Sequence, residues 1–217
     1  MNADSHLRLF TLGGLSGIVG TAAYVVAATV SLPPVVTYVV AMSWPILSIV
    51  FIFSLYRFLE LDHAGISNQL ALLFGSLAFT LVAAMISVQL AVNMGIDEYL
   101  VKYSKDQQPL LDMVRRSIRL VDMGLDVAWD LFGGMALVFL SFALGGSRHF
   151  GRWWGIPLFL LSAAVIVLNI STFPWPPDSR GLFDVGPAIG LFLIVLSIRL
   201  LVLARRIGRG KELPVMA

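Results

Sequence analysis

Six runs of about twenty mainly apolar residues, each closed by turn-forming residues, constrain this chain more than any other feature. They cover approximately 9–32, 35–58, 70–94, 125–144, 153–172 and 185–203, punctuated by Pro33-Pro34, Asp62-His63-Ala64-Gly65, Gly95, Gly145-Gly146 and Pro174-Trp175-Pro176-Pro177. A helix of that length matches the hydrocarbon thickness of a bilayer, where every backbone N–H and C=O must find a partner inside the chain. No strand-length alternation is present to close a barrel. The runs therefore predict an all-α, polytopic transmembrane helix bundle of six spans, one domain over residues 1–217 with an outer connection at 95–119. Composition agrees, because 58% of residues are hydrophobic and only 13% charged, with mean hydropathy +0.88, where soluble domains carry about a quarter charged residues. Arg8 before the first run resembles a signal peptide, but the run is long enough to span and reads as a retained helix.

The absence of cysteine excludes a disulfide framework, thiolate metal sites and cysteine nucleophiles. His6, His63 and His149 lie near ends or connections, which argues against histidine-ligated metal or haem and against a Ser-His-Asp triad. No metal or cofactor is implied. The net charge of +2 comes from basic residues scattered over connections and the C-terminal tail, a pattern of membrane orientation and not of nucleic-acid binding. Six spans put both termini on one side. Nine basic residues (Arg8, Arg57, Arg148, Arg152, Arg199, Arg205, Arg206, Arg209, Lys211) fall with the termini and six (Lys102, Lys105, Arg115, Arg116, Arg119, Arg180) opposite, so the expected place is the cell membrane with cytoplasmic termini.

Polar residues are unevenly distributed within the spans. The halves away from the termini hold Tyr24, Thr37, Tyr38, Ser43, Gln89, Asn93, Asp122, Asp126, Asp130, Asn169, Ser171, Thr172 and Asp184, whereas the other halves are mainly aliphatic and aromatic. That asymmetry predicts a pocket opening outward over a closed apolar floor, since an open hydrophilic pore needs polar lining at both depths.

The sharpest element is Asp122, Asp126 and Asp130 on the fourth span, at i, i+4 and i+8, which stacks them on one face of a helix. Asp126 and Asp130 are expected within the hydrocarbon depth and Asp122 at the interface, and acids within that depth cost several kcal/mol unless paired, protonated or facing water. The plain alternative is a salt-bridge ladder continuing upward through Arg119, Arg115 and Asp112. Two arginines do not neutralise the whole stripe, so Asp130 needs a partner on another helix, a proton or a ligand. Below it Gly133 leaves space, and Leu137 and Leu140 are expected to seal the floor.

Gln89 and Asn93 repeat the i, i+4 spacing on the third span, and Asn169 stands on the fifth; bundle-stabilising hydrogen bonds are the simplest account of each. Trp44-Pro45 on the second span predicts a bend that borders a site or merely relieves packing. Trp175 and the Trp153-Trp154 pair fit interfacial anchoring, and Trp129, beside Asp130, walls a pocket or faces headgroups. Arg199 is expected to snorkel. Gly13, Gly17 and Gly20, and also Gly186 and Gly190, read as close helix-packing positions. The connection from Asp97 to Arg119 predicts an amphipathic turn or an extension of the fourth helix, laid as a lid.

Asp126 to Trp129-Asp130, Gly151-Arg152-Trp153-Trp154-Gly155-Ile156 and Gly181-Leu182-Phe183-Asp184-Val185-Gly186-Pro187 together resemble a broad group of uncharacterised bacterial six-helix integral membrane proteins, a domain of unknown function. The resemblance covers about half the chain. It implies the helix count and no activity.

Three functions are compatible with these residues. One is binding or processing of a lipophilic small molecule, with acid-initiated isoprenoid cyclisation of the terpene-cyclase type as the reaction class: Asp130 donates the proton, Asp126 holds or reloads it, and aromatic faces stabilise the cation. Asp122, Trp129, Gln89, Asn93, Asn169, Tyr38 and Trp44 are the expected substrate-binding residues. The second is a proton- or cation-coupled transporter of small solutes. The third is a structural or accessory membrane protein. Membrane lipids, and a second copy of the chain, are the remaining expected partners.

Overall fold

The computed structural model describes residues 3–63, 65–102 and 108–208. Lys105, Arg209 and Lys211, counted above for orientation, lie outside the described residues. Six helices follow one another: α1 (Ala3–Thr29), α2 (Pro34–Asp62), α3 (Ile66–Lys102), α4 (Gln108–Gly146), α5 (Arg152–Thr172) and α6 (Gly186–Gly208). All six are long and apolar enough to cross a membrane, and no strand occurs among the described residues. The protein is a multi-pass membrane protein.

The turn residues act much as the sequence suggests. Pro34 opens α2, where its missing N–H is no loss because the first turn of a helix has no acceptor for it. Gly151 adopts φ 73°, a left-handed conformation that glycine takes without steric cost, and its N–H closes the α4–α5 turn on the Leu144 and Ser147 carbonyls at 3.1 and 2.8 Å. The long connection is the main departure. α3 and α4 simply continue toward one another, and the 39 residues of α4 correspond to about 58 Å at 1.5 Å per residue. The extension of the fourth helix is observed; a separate lid is not, among the described residues.

The helices stand in sequence order as a ring. Each packs on its neighbour, and α1 closes the ring on α6, while α5 meets α6 only sparsely. Glycines set the α1 seams: a Cβ on Gly13 would sit 2.1 Å from Ser54 Cβ, and one on Gly17 would sit 2.2 Å from Ser197 Oγ. Those backbones approach as closely as small residues permit. Gly186 and Gly190 behave differently from expectation. An added Cβ at Gly190 meets nothing within 4 Å, and at Gly186 it meets only Asp184, so neither is a packing glycine.

Packing is densest toward the termini. Phe10, Phe58, Leu59, Leu144, Leu200 and Leu203 belong to one large buried cluster there, whereas the other half holds only a small cluster around Ala41, Val82 and Ile86. A polar pin stands at the same end. The carboxyl of Asp62, its side chain 1% exposed, receives Arg148 Nε at 2.7 Å and a hydrogen bond from the Ser147 hydroxyl. Arg199 does not snorkel. Its Nη2 donates to the His149 carbonyl at 2.9 Å, tying α6 to the α4–α5 turn. Trp153 is 90% exposed, as an interfacial anchor requires, but Trp154 is half-buried and packs edge-on against Phe150 and Phe192.

Candidate functional site

Beside the dense core the bundle encloses space, and Phe51, Leu55, Ala71 and Leu140 of that core face it. A cavity of about 710 Å³ is lined by residues of all six helices, a volume within the range of small-molecule sites. Its wall is mostly apolar. From Thr29 and Pro176 at one end it continues past Trp44 and Trp129 to Tyr56 and Asn68 near the termini end of α2 and α3. Leu137 and Leu140 line it, and Leu140 also belongs to the buried cluster that holds Leu144, Phe58 and Leu59. Gly133 contributes to this opening, since a Cβ there would meet nothing closer than 3.9 Å, whereas Gly75 is pressed against Ile52.

Three carboxyls line the cavity: Asp126 and Asp130 on α4, one turn apart, and Asp184 from the connection before α6. Asp184 Oδ1 accepts the Gly186 N–H at 2.8 Å, capping the helix while it contributes its charge to the wall. The charged groups acting on Asp130 are Asp126 and Asp184, and Asn169 lies within hydrogen-bonding reach of it. No Lys, Arg or His is among the described lining residues. Arg115 and Arg119 are exposed on the outer part of α4 and do not line the cavity.

Asn169 is 2% exposed. Its Nδ2 donates to the Val165 carbonyl of its own helix at 3.0 Å, and its Oδ1 has no partner. Aromatic rings complete this end. Tyr24 lies against Trp44 with centroids 4.2 Å apart, and Trp44 meets Trp129 edge to face at 5.8 Å and Phe79 at 5.9 Å. These contacts hold the two indoles in fixed orientations.

Of the residues singled out from sequence, Asp126, Asp130, Trp129, Trp44 and Asn169 line one cavity. Four others do not. Asp122 is bound by Gln89, whose Nε2 donates to Oδ2 at 2.9 Å, so these two form a strut between α3 and α4. Asn93 and Tyr38 are exposed away from the lining. Sequence reading left Tyr24 and Asp184 among the polar residues without a site role. The ring order of the helices is what brings α1 and the last connection to the same end, and periodicity within one span carries no such information.

Comparison with known protein families, with curated proteins and with solved structures finds no match to this chain.

Proposed function

We propose that this protein holds a lipophilic small molecule inside the bundle, in a cavity that opens away from the termini and is floored by the dense core. The supporting observation is the cavity itself: about 710 Å³ of mainly apolar wall with Asp126, Asp130 and Asp184 gathered toward one end. An apolar body joined to a few converging polar groups is the usual composition of a site for a drug-sized or lipid-sized ligand. The slack α5–α6 seam supports entry from the bilayer, since Val165, Leu168 and Asn169 of α5 and Gly190 and Ile194 of α6 all line the cavity. In this reading the protein sits in the cell membrane with its termini in the cytoplasm, and Asp126 and Asp130 lie within hydrocarbon depth.

Acid-initiated isoprenoid cyclisation is the second reading, favoured by the Trp44–Trp129 pair beside Asp130. A carboxylic acid at that place protonates an olefin, and the indole faces stabilise the carbocation that results.

The test is to purify the wild type and Asp130→Asn, compare their thermal stabilities, and weigh each by native mass spectrometry. A small molecule retained by the wild type and lost from an equally stable variant supports the proposal. A variant that falls apart, from a wild type that carried nothing, overturns it and makes the aspartates structural.

A further inference from the structure

The polar end of the cavity is one-sided. It offers three carboxyls, an amide oxygen and the faces of Tyr24, Trp44 and Trp129, and it offers no basic group among the described lining residues. The amide oxygen is the more telling. Asn169 Oδ1 is buried on the cavity wall without a hydrogen-bond partner, and an orphaned acceptor costs free energy that an N–H donor arriving with a ligand would recover. Tyr24 is within electrostatic reach of Asp126, Asp130 and Asp184, so the aromatic and acidic groups surround one volume.

An inorganic ion is a poor match for this arrangement. No three carboxyl or imidazole groups among the described residues come together closely enough to hold a metal ion. Dispersed acids with indole and phenol faces between them match a larger cation whose charge sits on an organic body, the arrangement in which aromatic rings and carboxylates both contribute attraction.

Building on the lipophile-binding reading above, we propose that the ligand is a lipophilic amine in its ammonium form. Its N–H groups are taken by the Asp130 carboxylate and Asn169 Oδ1, its charge lies against Trp44 and Trp129, and its alkyl chain runs toward Leu55 and Leu137. The Asn169 acceptor makes the site selective for amines that carry an N–H over quaternary ammonium ions. Asp184 adds charge at the mouth without touching the nitrogen.

The experiment uses the full chain in phosphatidylcholine nanodiscs at pH 7, where an alkylamine is protonated. Octylamine, octyltrimethylammonium, octanol and octanoate are each titrated against tryptophan fluorescence, with empty nanodiscs subtracted for partitioning. Octylamine is expected to bind about ten-fold more tightly than octanol, with octanoate weakest, since a charge-assisted hydrogen bond in a dry site is worth about one such factor. Asp130→Asn removes that preference. Asn169→Leu weakens octylamine and leaves octyltrimethylammonium unchanged. Should Asp130→Asn fail to fold, Asp184→Asn serves in its place, because asparagine still caps α6 while the charge is gone, and a two- to three-fold loss of octylamine alone is expected. Octanol binding as tightly as octylamine, or octanoate binding best, overturns the ammonium proposal and leaves the lipophile cavity standing. Binding of none of the four overturns both.

Discussion

The Gln89 side-chain amide donates to Asp122 Oδ2 at 2.9 Å and joins α3 to α4 just above the cavity. This bond separates the top aspartate of the α4 column from the two below it, which line the cavity while Asp122 does not. Gln89→Leu leaves a partly buried carboxyl with neither oxygen satisfied, because Asp122 Oδ1 already lacks a partner. Loss of about 1 kcal/mol of stability is expected in denaturant titrations of the purified protein. The double variant Gln89→Leu/Asp122→Leu should recover most of that loss. A double variant no more stable than either single one would show that the pair does not act as a unit.

The seams of α1 make a sharper prediction. At Gly13 an added methyl would lie 2.1 Å from Ser54 Cβ, and Ser54 is itself fully buried, so neither helix has room to yield. Gly13→Ala should lower stability by about 1–3 kcal/mol through overpacking, despite alanine's better helix propensity. Gly124→Ala supplies the control: nothing lies within 4 Å of its added Cβ, and a gain of roughly 0.5–1 kcal/mol is expected. Thermal melts of the two variants should move in opposite directions.

At the termini end, Arg148 reaches Asp62 across from the α4–α5 turn. Asp62 is almost fully buried and Arg148 half exposed, so removing the arginine leaves a desolvated carboxylate with the Ser147 hydroxyl and a more distant His149 at 3.7 Å. A cost of about 1–3 kcal/mol is expected for Arg148→Ala, between the values for exposed and buried pairs. Its signature is partial rescue by Asp62→Asn, which removes the stranded charge and keeps an acceptor for Ser147. A melt of the double variant no higher than that of Arg148→Ala counts against this account.

Span number and the acidic stripe were legible because each depends on local period alone: apolar runs of bilayer length, and carboxyls four residues apart on one helix. What periodicity cannot carry is which face of a helix meets which neighbour. Gln89 and Asp122 read as two separate polar features until α3 and α4 are laid side by side. Asp184 read only as one polar residue among many at the outer ends of the spans until its carboxyl is seen to cap the α6 N-terminus. Arg199 read as a snorkelling side chain because its carbonyl partner, at His149, is fifty residues away in sequence. Glycine was the most ambiguous residue. Gly17 and Gly190 stand in similar apolar surroundings in the sequence, yet one is pressed against Ser197 and the other faces open space.

That open space gives the last prediction. Gly190 lines the cavity on α6 beside the sparse α5–α6 seam, with nothing within 4 Å of where a Cβ would stand. Gly190→Leu therefore adds an apolar side chain to empty volume, and alanine-like helix propensity replaces glycine's, so the bundle should be as stable as the wild type or stabler by up to about 1 kcal/mol. The cavity loses room in proportion to the new side chain. Octanol and octylamine binding should both fall by about ten-fold or more, without the charge discrimination expected of Asp130→Asn. A leucine variant that melts at least as high as the wild type and binds both probes unchanged would show that they enter some other part of the molecule. A variant that loses binding while keeping its fold would assign the binding to this space, because the substitution alters no polar or charged side chain of the site.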